Sequence, residues 1–163
     1  MTLAEAAAQA DSLAEQGSQT ELAKLRSQWD EELESEARSA DYRERAVAYR
    51  AVGQFRFRQK IELLARGLDD DSPACRGSAL ISLELLSRES PGAVNSVRSV
   101  LHRLASSDDN QAVRRLAIVC LKNGSAHRDT IVLLEGLADD ERSERDLAET
   151  AAKVAAGLKK KSR

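Results

Sequence analysis

The chain has 163 residues, of which 42% are apolar, 32% charged and only 3% aromatic, and its net charge is −2. A chain of this size removes enough surface from water to fold as one domain without a metal or disulfide staple, and its near-neutral balance sets up no global field for nucleic acid or an anionic membrane. Strong helix formers dominate and prolines occur only at Pro73 and Pro91, which excludes sandwiches and barrels and predicts an all-α fold.

In chain order, Leu3, Ala6, Ala7, Ala10, Leu13 and Ala14 share a helical face that ends at Gly17-Ser18, so residues 1–17 are expected to form an amphipathic capping helix. Apolar residues then recur at spacings of three and four along Leu22, Leu25, Trp29 and Leu33. The same pattern returns at Phe57, Ile61, Leu64 and Leu68, at Val94, Val97, Leu101 and Leu104, and at Ile131, Leu134 and Ala138. Second helices are predicted between them, at about 41–52, 73–87, 110–122 and 142–158. The joints carry suitable breakers: Gly53, Asp69-Asp70-Asp71-Ser72-Pro73, Ser90-Pro91-Gly92, Asp108-Asp109-Asn110, Asn123-Gly124 and Asp139-Asp140. Residues 161–163 are expected to be a solvated basic tail.

The second helices align with one another. Arg45, Arg76, Arg114 and Arg145 fall in one column, at intervals of 31, 38 and 31 residues, with Ala48, Ala79, Ala117 and Ala148 three residues later. Val52, Leu83, Leu121 and Ala152 follow four residues further on. Asp70, Asp108 and Asp139 stand six residues before their arginines, with Ser39 in the first copy. Such a period belongs to a helix-pair unit, which buries its apolar stripe only by stacking on neighbours. The arginines and aspartates read as a structural ladder, aspartate at the turn and arginine bridging between layers.

The stretch "LDDDSPACRGSALISLELL" resembles the HEAT-repeat pattern of a leucine-ended first helix, an Asp-rich turn with Pro, and a hydrophobic-Arg pair followed by a small residue; "LASSDDNQAVRRLAIVCLKNG" and "LADDERSERDLAETAAKVAAGL" are similar. The copy at "ARSADYRERAVAYRAVG" departs from it, with Ser39 at the turn and Glu44 before the arginine, and Glu144 stands before Arg145. The resemblance implies a short right-handed α-solenoid of about four HEAT-like helix pairs over residues 18–160, preceded by the extra N-terminal helix. It implies a protein-binding scaffold whose second helices line one face.

Chemistry-bearing motifs are scarce. His102 and His127 are the only histidines, without a partner at metal-ligand spacing, and Cys75 and Cys120 lie in predicted helix interiors, where buried thiols fit a reducing compartment. There is no nucleophile elbow and no phosphate-binding glycine loop. HEAT-like di-iron hydroxylases carry repeated His-Glu dipeptides, which are missing here, and HEAT-like alkylpurine glycosylases use several aromatics where this chain has one tryptophan, Trp29. The expectation is a non-enzyme with no cofactor and no metal site. A scaffold enzyme resembling the bilin lyases stays open as an alternative.

Charge is unevenly distributed. Residues 1–40 hold nine acidic and three basic side chains, whereas residues 41–60, "DYRERAVAYRAVGQFRFRQK", hold six basic and two acidic ones with both tyrosines and both phenylalanines. Arg43, Tyr49, Arg50, Arg56, Arg58 and Lys60 are therefore the candidate partner-binding residues, with Arg43, Arg50, Arg56 and Lys60 as a solvated basic strip. The strip would dock an acidic protein, or, alternatively, nucleic acid by phosphate contact and base stacking. A third reading has the aromatics filling the joint between the first two repeats. The longest apolar run, Leu116–Leu121, is six residues, far below a membrane span, and the N-terminus lacks a basic leader segment. A cytoplasmic location without membrane insertion is expected.

Overall fold

A computed structural model describes all residues, Met1–Arg163, and the chain is all-helical. The helices are α1 (Leu3–Glu15), α2 (Gln19–Ala37), α3 (Tyr42–Gln54), α4 (Ile61–Leu68), α5 (Pro73–Ser87), α6 (Pro91–Asn95), α7 (Arg98–Ser107), α8 (Gln111–Leu121), α9 (Arg128–Asp139) and α10 (Arg145–Lys161). Contacts divide them into two compact units, Met1–Leu86 and Ser87–Arg163.

In the first unit, α1 starts with a capping box in which the Thr2 hydroxyl accepts from the Glu5 amide and the Glu5 carboxylate accepts from the Thr2 amide. It packs on both α2 and α3. The pair α2–α3 is followed by the pair α4–α5. Helix α5 lies along α3: the Cys75 thiol donates to the Tyr42 carbonyl (3.2 Å), and one helical stretch further on the buried Ser82 hydroxyl donates to the Tyr49 carbonyl (2.6 Å) and accepts from the Gly53 amide (3.0 Å). Ser82 thus sits inside the backbone ladder of α3, between a carbonyl and the amide four residues on, which brings the two helix backbones together. A Cβ on Gly53 would lie 2.8 Å from the Ser82 Cα. Gly53 is therefore not a helix breaker; it is the contact point of α3 with α5.

Helix α3 ends at the next residue, Gln54. Arg56 has φ +56, the Phe57 amide donates to the Val52 carbonyl and the Arg56 amide to the Gly53 carbonyl, both at 3.0 Å. This is the Schellman arrangement with arginine where glycine is usual. The turn delivers Phe57 into the core against Phe55, their ring centroids 5.4 Å apart. The helix expected to begin at Phe57 accordingly begins as a 3₁₀ turn, Arg58–Lys60, before α4.

In the second unit, α7–α8 and α9–α10 form two hairpins side by side, with α7 against α9 and α8 against α10. The single helix expected from Pro91 onward is broken into α6 and α7. The Ser96 hydroxyl competes for the Ala93 carbonyl (3.1 Å), and Asn95 is held by the Ser125 amide (3.0 Å) rather than continuing the helix. The expected basic tail is also shorter. Lys161 belongs to α10, and its ammonium donates to the carbonyls of Lys122 and Gly124 at the end of α8, while Lys159 pairs with Glu135.

Counting from the first residue of each second helix shows the repeat more clearly than the sequence columns do. The seventh residues are Ala48, Ala79, Ala117 and Ala151, all 0% exposed, and the eleventh are the buried Val52, Leu83, Leu121 and Ala155. The fourth copy is therefore offset by three residues from the expected alignment, and Ala148 and Ala152 are not the equivalents of the buried alanines. Alanine at the seventh place sets how closely helices approach, as glycine does at position 53.

Two substitutions separate packing from propensity. Gly53→Ala should destabilise the protein by about 2 kcal/mol or more, because Ser82 and its backbone must move. Gly136→Ala, in α9 with open space around its Cα, should stabilise by about 0.5 kcal/mol. Urea unfolding of the two variants measures both.

Candidate functional site

The arginine column sits at the fourth residue of α3, α5 and α8. Arg45 donates to the Ser39 and Ala40 carbonyls (3.0 and 3.2 Å), Arg76 to the Asp70 carbonyl (2.9 Å) and Arg114 to the Ala105 carbonyl (2.8 Å). Each guanidinium thus closes off carbonyls at or just beyond the end of the preceding helix, groups that no helical amide satisfies. Arg45 also forks onto Asp70 through Nε (2.9 Å) and Nη2 (3.0 Å), linking α3 to the turn before α5. Arg145 stands apart. It is the first residue of α10, its side chain is 90% exposed and it pairs with Glu149 on its own helix. In that copy the Ser143 hydroxyl donates to the Leu137 carbonyl instead (2.8 Å).

The turn residues show the same shift. Ser39, Asp70 and Asp108 each accept the amide two residues on, at 3.0, 2.9 and 2.9 Å, and that amide belongs to the residue preceding the helix. In the last copy the acceptor is Asp140, bonded to the Arg142 amide (2.9 Å), and Asp139 is an exposed helix-end residue. Burial raises the Asp70 carboxyl pKa, but the Arg45 hydrogen bonds and the Ser72 amide outweigh it and hold it at about 2.

The six candidate partner-binding residues do not form one solvated strip. Lys60 is buried, and its ammonium donates to Asp30 (2.7 Å) and Glu34 (2.6 Å) of α2 and lies 5.0 Å from the Phe57 ring centroid. Burial lowers its pKa, yet the two carboxylates overcome that effect and leave it above the usual lysine value. Arg56 reaches back to Asp11 of α1 (2.8 Å) and to the Gly53 and Gln54 carbonyls (2.9 and 3.2 Å). Tyr49 is 3% exposed, its ring beside Gly67, and burial raises its pKa. Arg43 is exposed, paired with Asp41 and over the Tyr42 ring, and Arg58 is exposed on the 3₁₀ turn. Arg50 lines a cleft of about 360 Å³ with Ala4, Ala46, Val47, Gln54 and Ser78.

The partners Asp11, Asp30 and Glu34 did not emerge from the sequence as site residues. The signal for them was present: an acidic first forty residues beside a basic twenty is the pattern of two segments that neutralise one another. His127 is the cap of α9, its Nδ1 accepting the Asp129 amide, and His102 is half-buried with Nε2 2.8 Å from the buried Thr130 hydroxyl. Both cysteines are free and buried. No group of three or more His, Cys, Asp or Glu side chains is arranged to hold a metal ion, and no helix is long and apolar enough to cross a membrane. Compared with protein-family models, curated proteins and solved structures, the chain matches none.

The Arg45–Asp70 fork predicts an acid-sensitive increment. A carboxyl at about 2 in the folded chain, against an ordinary value of 3.8, contributes stability fully present above pH 4 and lost as pH falls towards 2. Asp70→Asn should cost roughly 2 kcal/mol at pH 7. The gap between wild type and variant in urea unfolding should shrink below about pH 3; a gap that does not change with pH contradicts the assignment.

Proposed function

We propose that the chain is a non-catalytic, HEAT-like adaptor that binds a protein partner through the outward side of its second helices. The observation that carries this reading is the pairing of second helices within each unit, α3 with α5 and α8 with α10, which leaves partly exposed small and apolar side chains on their outer faces. On α3 and α5 these include Ala46, Val47 and Ile81, the last 39% exposed, and on α8 Ala112, Leu116 and Val119 follow one another at helical spacing. Rigid side-by-side helices present such positions over a broad surface, so affinity is gathered from many modest contacts. The two buried free thiols fit a reducing compartment and support a cytoplasmic location.

Nucleic-acid binding through residues 43–60 is the weaker reading. Arg45, Arg56 and Lys60 already hold carboxylates within the fold, and these three cations are not available to release counterions from phosphates.

Affinity capture from the source cell, with wild type and with Ile81→Glu and Ala112→Glu, tests the proposal. Both variants should keep the helical circular-dichroism signal, and at least one should lose the captured protein by about tenfold or more. Undiminished capture by both, or capture of nucleic acid with steep loss in salt, overturns it.

A further inference from the structure

The cleft between α1, α3 and α5 has one charged residue in its lining, Arg50, set among Ala4, Ala46, Val47, Gln54 and Ser78. Arg50 Nη1 is sealed from solvent and has no hydrogen-bond partner. Its neighbours in the chain are treated differently: Arg45 has two aspartates and two carbonyls, Arg56 an aspartate and two carbonyls, and Lys60 two carboxylates. A guanidinium N–H withdrawn from water without an acceptor is costly, and such groups are uncommon in folded proteins. No carboxylate lines the cleft to relieve it.

We infer that the α1–α3–α5 cleft receives one acidic side chain of the protein partner, held by the Arg50 guanidinium. The inference rests on the adaptor reading and adds the chemistry of one contact to it. A carboxylate matches the two-donor fork of arginine, and a rotation about the last side-chain torsions turns Nη1 towards it. The occupant is an acid carried on a polypeptide rather than a free small acid, because the cleft is open and Ala4, Ala46 and Val47 form an apolar part of its wall beside Gln54 and Ser78. A free dicarboxylate would leave Ala4, Ala46 and Val47 uncovered, whereas a segment of chain covers them while delivering the charge.

The test uses the full chain, ¹⁵N-labelled, titrated with a capped alanine-based helical peptide carrying one glutamate, and with the same peptide carrying glutamine. The glutamate peptide should give saturable shifts at the Ala46, Val47 and Ser78 amides and at the Arg50 side chain, with a Kd on the order of 1 mM. The glutamine peptide should bind at least tenfold more weakly. Arg50→Gln should remove the preference for glutamate, and Ala46→Leu, which fills the cleft and keeps the guanidinium, should remove binding of both peptides. Equal binding of the two peptides by wild type, or no shift at those amides, overturns the inference without recourse to any variant. A native partner captured equally by wild type and Arg50→Gln overturns the cleft assignment and leaves the adaptor reading standing. Glutamate-selective binding in the cleft, with capture unaffected by changes on the outer faces, supports the cleft and removes the broader surface.

Discussion

A cation that is nearly withdrawn from water must be matched inside the protein, and that constraint organises the first unit. The Lys60 ammonium stands under α2 with Asp30 and Glu34 as its acceptors and Phe57 beneath it, so the start of α4 is tied to the end of α2. Removing both carboxylates would leave the buried ammonium without compensation, which costs more than the pairing itself contributes. Arg56 acts in the same way one turn earlier. Its left-handed backbone ends α3, and its side chain holds Asp11 of α1 together with carbonyls of the helix it ends. The strain of a left-handed arginine is of order 1 kcal/mol, and the two N–H groups of Nη1, shared among Asp11 and the Gly53 and Gln54 carbonyls, offset it.

With those charges placed, helix spacing is set by small groups. Gly53 meets Ser82 and Gly67 meets Ala79 and the Tyr49 ring, so α3, α4 and α5 approach more closely than side chains of ordinary size allow. Alanine recurs at the seventh residue of every second helix for a related reason. Aromatic content of 3% leaves little material to fill wide gaps, and a core of alanine, leucine and valine reaches interior density only if helices lie close. Arginine at the fourth residue then caps what precedes it, which ties each of the first three second helices to the end of its own first helix.

Helix positions were legible from the sequence, because apolar residues at spacings of three and four have no other simple reading, but nine helices were expected where there are ten, α6 and α7 replacing one. The first three turns were legible as well, since Ser39, Asp70 and Asp108 precede their helices by the same interval. The fourth was misread because Glu144-Arg145 imitates the hydrophobic-Arg pair by its arginine alone. The true equivalents, Leu147 at the third place and Ala151 at the seventh, lie three residues further on and lack the arginine. The break at Ser96 was hidden, since it depends on Ser125 reaching Asn95 from 30 residues away. The basic segment was misread for the same cause: residues 26 to 45 positions upstream supply the carboxylates that hold Lys60 and Arg56. Periodicity is local and visible; the pairing of charges across helices is neither.

The consequence is that Arg45, Tyr49, Arg56 and Lys60 are directed inward, whereas Arg43 and Arg58 are exposed and Arg50 Nη1 has no acceptor. A double-mutant cycle between Lys60→Met and the pair Asp30→Asn with Glu34→Gln, followed by urea unfolding, measures this inward pairing most directly. A coupling energy of about 1 kcal/mol or more is predicted for contacts of this burial. A coupling near zero would mean that Lys60 is a free surface cation, and the inward assignment of the basic segment would fail.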